Sequence, residues 1–480
     1  MFARTAALDE AHPADDAGMG LVEVLVAMLV FAIVALSVAY SLTFTLANTR
    51  DSKARQIALN LASQEIDKVR AIGDPFKVLT ETTPVTQDGE TYSIQRSTSW
   101  ISTAGTDAPC SIAAGTLQYK RVNVTVTWTN MGPTGIPART DTLLAPASRI
   151  NDPAKGTLLV SIKGADGLGE PGVSFTITPG TGVALEPTDA EGCSFVLGVA
   201  PGTYTVRPSR PNYLDIDQVS APTKSVVIVA GASASAAFQY DLRGTFPLRY
   251  ASNALRLPTQ TPAVPARRIE YPNELVTTFI NSNGVWAYPS PVVESAVTAP
   301  AAGIGSWTKE LHPWQIGYQA FAGPTTATCT VHDPQAWPPT TATPPLVGSR
   351  SPLQSAAPGG TSTDLDVPMG LVDVLRPSGS ANDARTFLIA VRQSAPVATG
   401  QPACTGSTLQ YNFGSVLAST TVAARVALPF GSWKLYAVTA TATATPAESN
   451  VLKTGVTLRT PGVVPNTDGG FALDPRGVAP

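Results

Sequence analysis

The side chains that could do chemistry are few and scattered along this chain. Its 480 residues include three histidines, and only 14% of the residues carry a charge. Neither a Gly-x-Ser-x-Gly nucleophile elbow nor a Gly-Lys-Ser/Thr phosphate loop occurs. Gly167, Gly169 and Gly172 have the spacing of a dinucleotide fingerprint, but Pro171 interrupts it and a strand pattern follows where a helix should begin. We therefore expect no enzymatic activity and no cofactor.

Two further groupings could suggest catalysis or metal binding. Cys329 precedes His332 with two residues between them, yet no second CxxC or CxxH accompanies the pair, so we expect no metal site. Asp364, Asp366 and Asp373 are close in sequence and have no histidine base beside them. We interpret them as solvated loop acids, and the sequence leaves open whether any carboxylate pair serves a hydrolase.

The four cysteines, Cys110, Cys193, Cys329 and Cys404, all follow a long apolar segment. An even number on one side of such a segment favours an oxidising, exported compartment. Three connectivities are possible, and buried free thiols are the alternative. We expect a disulfide between Cys329 and Cys404, because both lie in the C-terminal third.

A single carboxylate, Glu23, stands at the head of that apolar segment. From Val24 to Leu46 the chain is long enough, as a helix, to cross a hydrocarbon core of about 30 Å. A carboxylate that enters lipid costs on the order of 2–3 kcal/mol unless it is paired. A plain membrane anchor gives Glu23 no role, and a cleaved secretory signal would have a shorter apolar stretch and a basic leader.

The segment from Gly18 to Leu29, GMGLVEVLVAML, resembles the N-terminal signature of type IV pilins and type II secretion pseudopilins, and from Glu23 onward it is most similar to the minor-pilin branch. The resemblance implies that a prepilin peptidase removes leader residues 1–18 by cutting after Gly18. Met19 then becomes the methylated N-terminus, where phenylalanine is more usual, and Glu23 is the fifth mature residue. The resemblance also implies that Glu23 pairs with the amino terminus of a neighbouring subunit. The leader departs from the family in being acidic.

The distribution of charge around the apolar segment bears on its orientation. Arg50, Lys53 and Arg55 follow the segment while only Arg4 precedes it, which by itself favours a cytoplasmic C-terminus. The cysteines and the signature favour the opposite orientation, which we adopt. We expect a single-pass protein of the cell membrane with extracellular C-terminal domains, present on a filament or the cell surface after assembly.

The elements that would position these residues follow from periodicity. Ala54, Ala58, Ala62, Ile66 and Val69 form one helical face, and Gly73-Asp74-Pro75 is a helix stop, which predicts a transmembrane and filament helix over 21–72. Beyond it, Val122-Asn123-Val124-Thr125-Val126-Thr127-Trp128 alternates like a half-buried strand. We predict an α+β fold with the helix packed on an antiparallel sheet in a pilin-like unit of residues 19–150.

Residues 155–242 resemble the prealbumin-like modules known as carboxypeptidase-regulatory-like repeats. The resemblance rests on a Thr188-Asp189-Ala190-Glu191-Gly192 turn and a Pro201-Gly202-Thr203-Tyr204 strand start, and it implies a β-sandwich. Some related adhesin repeats carry an isopeptide bond. Here Lys163 could be its lysine, but Arg207 and Pro208 stand where the assisting glutamate would fall.

Residues 243–480 are predicted to form a β-rich region of one or two prealbumin- or Ig-like sandwich domains. Strands are predicted over 418–426 and 435–445. We expect the tryptophans of this region mainly to pack in the core, and glycan binding is the less favoured hypothesis. These tryptophans are Trp286, Trp307, Trp314, Trp337 and Trp433.

Together these features predict a structural minor pilin or pseudopilin that is incorporated into, or primes, a type IV pilus-like filament and displays β domains outside the cell. The expected partners are the prepilin peptidase and methyltransferase, other pilin subunits, the assembly machinery and the membrane. Scattered charges with a net value of -3 give no indication of nucleic-acid binding. The alternatives are a monomeric membrane-anchored adhesin and, less favoured, an envelope hydrolase. The sequence does not distinguish a pilus, a secretion pseudopilus and a DNA-uptake filament.

Overall fold

The protein divides into two compact units. The computed structural model describes residues 20–102, 107–108, 110, 117–131, 135–145, 152–256, 268–294, 304–379, 384–406, 408–441 and 445–478. The first unit comprises residues 1–107 and 117–149, and the second comprises residues 108–116 and 150–480.

The first unit begins with one long helix, α1, which spans Leu21–Ile72. At 1.5 Å per residue these 52 residues extend about 78 Å. The helix ends where Gly73 takes a left-handed conformation with φ of 69°, which favours glycine, and a 3-10 turn over Pro75–Lys77 follows.

An antiparallel sheet covers the C-terminal half of this helix. Its strands have the order β1-β2-β4-β5, with β3 pairing β2. Tyr92, Ile94, Val122, Val124 and Val126 alternate toward the helix and are buried there. The long helix on an antiparallel sheet, followed by sandwich-like sheets, confirms the predicted fold class. The strands are β1 (Glu81–Gln87), β2 (Glu90–Ser102), β3 (Asp107–Ala108), β4 (Leu117–Trp128) and β5 (Ala138–Leu144).

The second unit begins with two facing sheets built from seven strands. One has the order β10-β12-β6-β8 and the other β11-β9-β7, with β6 and β12 parallel. Asp189 organises the predicted turn, because its carboxylate accepts bonds from the N–H groups of Glu191 and Cys193. A Cβ at Gly192 would lie 2.1 Å from the Ile162 carbonyl oxygen, so glycine is required there. The strands are β6 (Gly156–Lys163), β7 (Ser174–Thr178), β8 (Cys193–Val199), β9 (Gly202–Ser209), β10 (Tyr213–Asp215), β11 (Lys224–Ile228) and β12 (Ser233–Leu242).

The remainder of the second unit contains sixteen described strands around a continuous buried cluster that extends from Phe246 to Val478. Four sheets have the orders β17-β18-β13-β20, β14-β24-β21-β26, β16-β15-β19 and β23-β22-β25-β28-β27. The strands are β13 (Gly244–Tyr250), β14 (Ile269–Glu270), β15 (Val276–Ile280), β16 (Val285–Pro289), β17 (Val293–Glu294), β18 (Gly305–Leu311), β19 (Gln319–Ala322), β20 (Leu365–Val367), β21 (Gly370–Val374), β22 (Phe387–Arg392), β23 (Gln410–Ser415), β24 (Ala424–Leu428), β25 (Gly431–Val438), β26 (Val456–Leu458), β27 (Gly462–Val463) and β28 (Gly470–Leu473).

The interpretation of the three aspartates as solvated loop acids is wrong for Asp366 and Asp373. Asp366 lies in β20, 2.7 Å from Arg249. Asp373 lies in β21 with a side chain 2% exposed, 2.8 Å from Arg425 and 2.7 Å from Arg459. These arginines are on the neighbouring strand β24 and just beyond β26, far away in sequence, which is why spacing did not reveal the pairing.

The predicted strand over 418–426 is also displaced, because the Ser419 hydroxyl accepts from the N–H groups of Thr421 and Val422 and forms a turn before β24.

Candidate functional site

The N-terminal half of α1 presents an apolar surface that no described part of this chain covers. Every side chain from Leu21 to Lys53 is exposed, including Leu21 at 78% and Phe31 at 74%. Among the described residues, α1 is the one helix long and apolar enough to cross a membrane. Apolar exposure on this scale marks a surface that contacts lipid or other subunits.

Four hydroxyl groups in the exposed part of α1, those of Ser37, Thr43, Thr45 and Thr49, are bonded within the helix. Ser37 donates to the Ile33 carbonyl at 2.7 Å, and Thr45 and Thr49 donate to carbonyls four residues earlier at 2.8 Å. Such bonds satisfy the hydroxyl donor without water, so these polar residues are compatible with apolar surroundings. Serine and threonine within a helix bond readily to the carbonyl four residues earlier, so their presence in an apolar helical segment could have indicated this feature.

The predicted processing and assembly residues lie at the start of the helix. Gly18 and Met19 are outside the described residues. Glu23 lies in the first turn of α1, and its backbone N–H donates to the Gly20 carbonyl at 2.9 Å. Its carboxylate is exposed and has no bonding partner within the described part of the chain. An acid in the first turn is favoured by the partial positive charge of the helix N-terminus.

The point where the helix reaches the sheet is fixed by ion pairs to the β1–β2 turn. Arg50 lies 2.9 Å from Glu90, and Lys53 lies 3.0 Å from Asp88. Glu90 also accepts from the backbone and side chain of Asn130. The Asn130 amide and the Arg50 guanidinium hold the pKa of Glu90 below its ordinary value. Arg50 and Lys53, two of the basic residues that bear on the orientation of the helix in the membrane, thus also attach the sheet to the helix.

The cysteines form two disulfides. The structure joins Cys329 to Cys404, with Cα atoms 4.0 Å apart, and Cys110 to Cys193, with Cα atoms 6.0 Å apart. His332, three residues after Cys329, is fully buried, and its Nδ1 lies 2.7 Å from the Phe430 carbonyl oxygen. Within the described ranges no cluster of three or more histidine, cysteine, aspartate or glutamate side chains could hold a metal ion.

The tryptophans divide between core and surface. Trp337 and Trp433 are buried, and their indole N–H groups donate to the carbonyls of Val331 and Pro429. Trp286, Trp307 and Trp314 are only partly buried, against the cluster that contains Trp433.

Residues 14–39 match the family model described as the prokaryotic N-terminal methylation motif. The matched residues include the predicted cleavage position, Glu23 and the beginning of the exposed apolar half of α1. The N-terminus of this chain is therefore of the prepilin type, as found in pilins and pseudopilins.

Comparison with solved structures finds proteins that share little sequence with this chain. The Bacillus anthracis TIE protein is 11% identical over 75% of this chain and 69% of its own, with a TM-score of 0.19. BcpA, the major pilin subunit of Bacillus cereus, is 9% identical over 66% of this chain and 92% of its own, with a TM-score of 0.18. A streptococcal ancillary pilin is 10% identical over 51% of this chain and 75% of its own, with a TM-score of 0.17. No curated protein matches the chain.

Proposed function

We propose that this protein is a structural minor pilin or pseudopilin, incorporated into or priming a type IV pilus-like filament. The observation that carries the proposal is the N-terminal methylation motif at the head of a helix whose first half is apolar and exposed. Such a surface needs lipid before assembly and other helices after it.

The assembly step follows from the position of Glu23. Cleavage after Gly18 by a prepilin peptidase frees the amine of Met19, which is then methylated. Glu23 pairs with the corresponding amine of a neighbouring subunit, and this compensates its charge in the apolar filament core. Its partners are accordingly the processing enzyme, other pilin subunits, the assembly machinery and the membrane.

The units that follow the helix are proposed to lie outside the cell. Two disulfides support this orientation, because disulfides persist in oxidising compartments. We keep three regions, 19–150, 155–242 and 243–480, as the domain division. Separate apolar clusters support the boundary near 242, with one built from residues of β6–β12 and the other from residues beyond β12. Such a large addition suits a rare or tip subunit, since it limits how many copies stack helically.

The processing step is tested by co-expressing the full chain with a prepilin peptidase and measuring its intact mass and N-terminal sequence. We expect a methylated Met19 start, and we expect Gly18→Leu to block cleavage. Gly20→Ala is the matched control, because a Cβ at Gly20 meets nothing within 4 Å. A mature protein that still starts at Met1 would contradict the proposal and favour the monomeric anchored adhesin.

The assembly step is tested with Glu23→Gln, which should be processed normally yet absent from sheared filaments. Asp51→Asn, an exposed acid on the same helix, is the control and should be incorporated. Incorporation of the Glu23 variant at the wild-type amount would refute the role of Glu23. Recovery of this protein in amounts equal to the main shaft subunit would refute the minor role.

A further inference from the structure

A cleft of about 430 Å³ opens beside β18 in the second unit. Its volume is within the range of small-ligand sites. It brings together residues from β10 and the segment after it, from the beginning of β13 and the residue before it, and from β16 and β18. The lining residues are Leu214, Gln218, Arg243, Thr245, Tyr288, Trp307, Thr308, Lys309 and Glu310.

The cleft holds one positive charge that is not compensated. Arg243 and Glu310 pair with each other at 2.8 Å. The Lys309 ammonium lies 3.8 Å from the centroid of the Tyr288 ring and has no carboxylate partner among the described residues. Burial lowers the pKa of Lys309, and the negative charge of Glu310 partly offsets this lowering. An anionic group entering the cleft would therefore gain a charge-assisted hydrogen bond to Lys309.

The other walls offer hydroxyl groups and an aromatic ring. Thr245 and Thr308 line the cleft with side-chain hydroxyls that bond to no other group in the described chain. Trp307 is only partly buried and leaves part of its indole accessible. An aromatic ring packs well on the C–H face of a sugar, while hydroxyls exchange hydrogen bonds with the sugar's own hydroxyls.

One wall is held rigidly by Gln218, which has a left-handed backbone with φ of 68°. Its side-chain oxygen accepts from the backbone N–H of His312 at 2.8 Å, and its amide donates to the Tyr318 hydroxyl at 3.0 Å. A left-handed conformation is unfavourable for glutamine and persists only where surrounding contacts impose it. The segment after β10 is thereby attached to the end of β18, so this side of the cleft is preformed.

We propose that this cleft binds an acidic sugar unit, with the sugar carboxylate on the Lys309 ammonium and the ring against Trp307. The site is independent of filament assembly and goes beyond the structural role proposed above. It assigns a ligand class, a uronate-containing polysaccharide, to the second unit.

The test is calorimetric titration of the detergent-solubilised full chain with tri-galacturonic acid, and with galactotriose as the uncharged probe. We expect the uronate to bind at least about tenfold more tightly than the neutral sugar, the equivalent of one charge-assisted hydrogen bond. Binding should weaken as salt rises, because the cleft is open to solvent.

Variants separate the site from general electrostatics. Lys309→Met should reduce uronate affinity about tenfold or more, Lys309→Arg should restore most of it, and Trp307→Leu should weaken both sugars. The control Lys453→Met removes an exposed lysine elsewhere and should change nothing. Equal binding of charged and neutral sugars by the wild type, or no loss in a folded Lys309→Met variant, would overturn the proposal. Equally tight binding of a tri-glutamate peptide would also overturn it, since the cleft would then recognise carboxylates without the sugar.

Discussion

Several buried ionisable side chains among the described residues either meet an opposite charge or are held neutral. Arg96, with a side chain 10% exposed, lies 2.5 Å from Glu65 and 2.6 Å from Glu81. Asp373 lies between two arginines, which hold its pKa below the ordinary value despite its burial. Two histidines, His312 and His332, have no acidic partner in the described chain, and burial keeps them neutral.

Replacing Arg96 with methionine should destabilise the first unit by about 3 kcal/mol, because Glu65 would remain buried without its principal counter-charge. Hydrogen exchange of the β2 and β4 amides in the full chain measures this loss. Arg139→Met is the matched control, since Arg139 is 61% exposed and its pair with Asp141 should contribute less than about 1 kcal/mol. Equal effects of the two substitutions would contradict the prediction.

Acid should destabilise the second unit through His312 and His332. Burial lowers the pKa of each to about 4, whereas the unfolded chain takes up a proton near the ordinary value of 6.5. Their contribution is therefore complete above pH 7 and is lost as the pH falls from 6.5 toward 4. At pH 5 the loss should be about 2 kcal/mol per histidine.

Denaturant unfolding of the full chain at pH 7 and pH 5 measures this dependence. The double variant His312→Gln, His332→Gln should show a smaller difference between the two pH values, whatever its stability at pH 7. An unchanged difference would show that other groups cause the acid sensitivity.

At the scale of elements, α1 has two different environments along one continuous helix. Its first half has no neighbour within the described chain, while Ala54, Ala58, Ala62, Ile66 and Val69 pack against the sheet. Three successive positions on this face are alanines, whose small side chains let the sheet approach closely. The same residues thus specify both the packing face and its distance from the sheet.

Replacing Ala62 with leucine should overfill this interface and cost about 1–3 kcal/mol, because Ala62 has no exposed surface. The thermal unfolding midpoint of the full chain, followed through the β4 amides, reports the change. Ala71→Leu is the control on an exposed position of the same helix, where both residues have high helix propensity. The prediction fails if Ala62→Leu is as stable as Ala71→Leu.

At the scale of the whole molecule, the two disulfides join residues that are far apart along the chain. Cys110 follows β3 of the first unit's sheet in sequence, yet it belongs to a segment counted with the second unit and is bonded to Cys193 in β8. Cys329 and Cys404 both lie within the second unit. The two bonds therefore have different consequences when the chain is cut near residue 152.

A protease site inserted between Asp152 and Pro153 tests this connectivity. After cleavage, the two fragments should remain joined in denaturing gels and separate only on reduction, because Cys110–Cys193 spans the cut. Cys110→Ser with Cys193→Ser should separate without reduction. The matched control, Cys329→Ser with Cys404→Ser, should stay joined, since both residues lie on one fragment. Separation of the wild-type fragments without reductant would contradict the connectivity.

The sequence by itself determined the features that depend on near neighbours. These are the N-terminal methylation motif, a helix that spans Leu21–Ile72, and the alternation that makes β4 a half-buried strand. Periodicity and turn preferences depend on residues only a few positions apart, so they can be recognised in the sequence without knowledge of the fold. The same signals failed where a local hydroxyl turn at Ser419 displaced a predicted strand.

Only the tertiary structure decided which distant residues meet. It buried Asp373 between Arg425 and Arg459, bonded Cys110 to Cys193, and left Lys309 over Tyr288 in an open cleft. Each of these contacts joins strands or segments that are separated in sequence. Sheet order and register bring these residues together. Residue type and spacing do not specify which strands become neighbours.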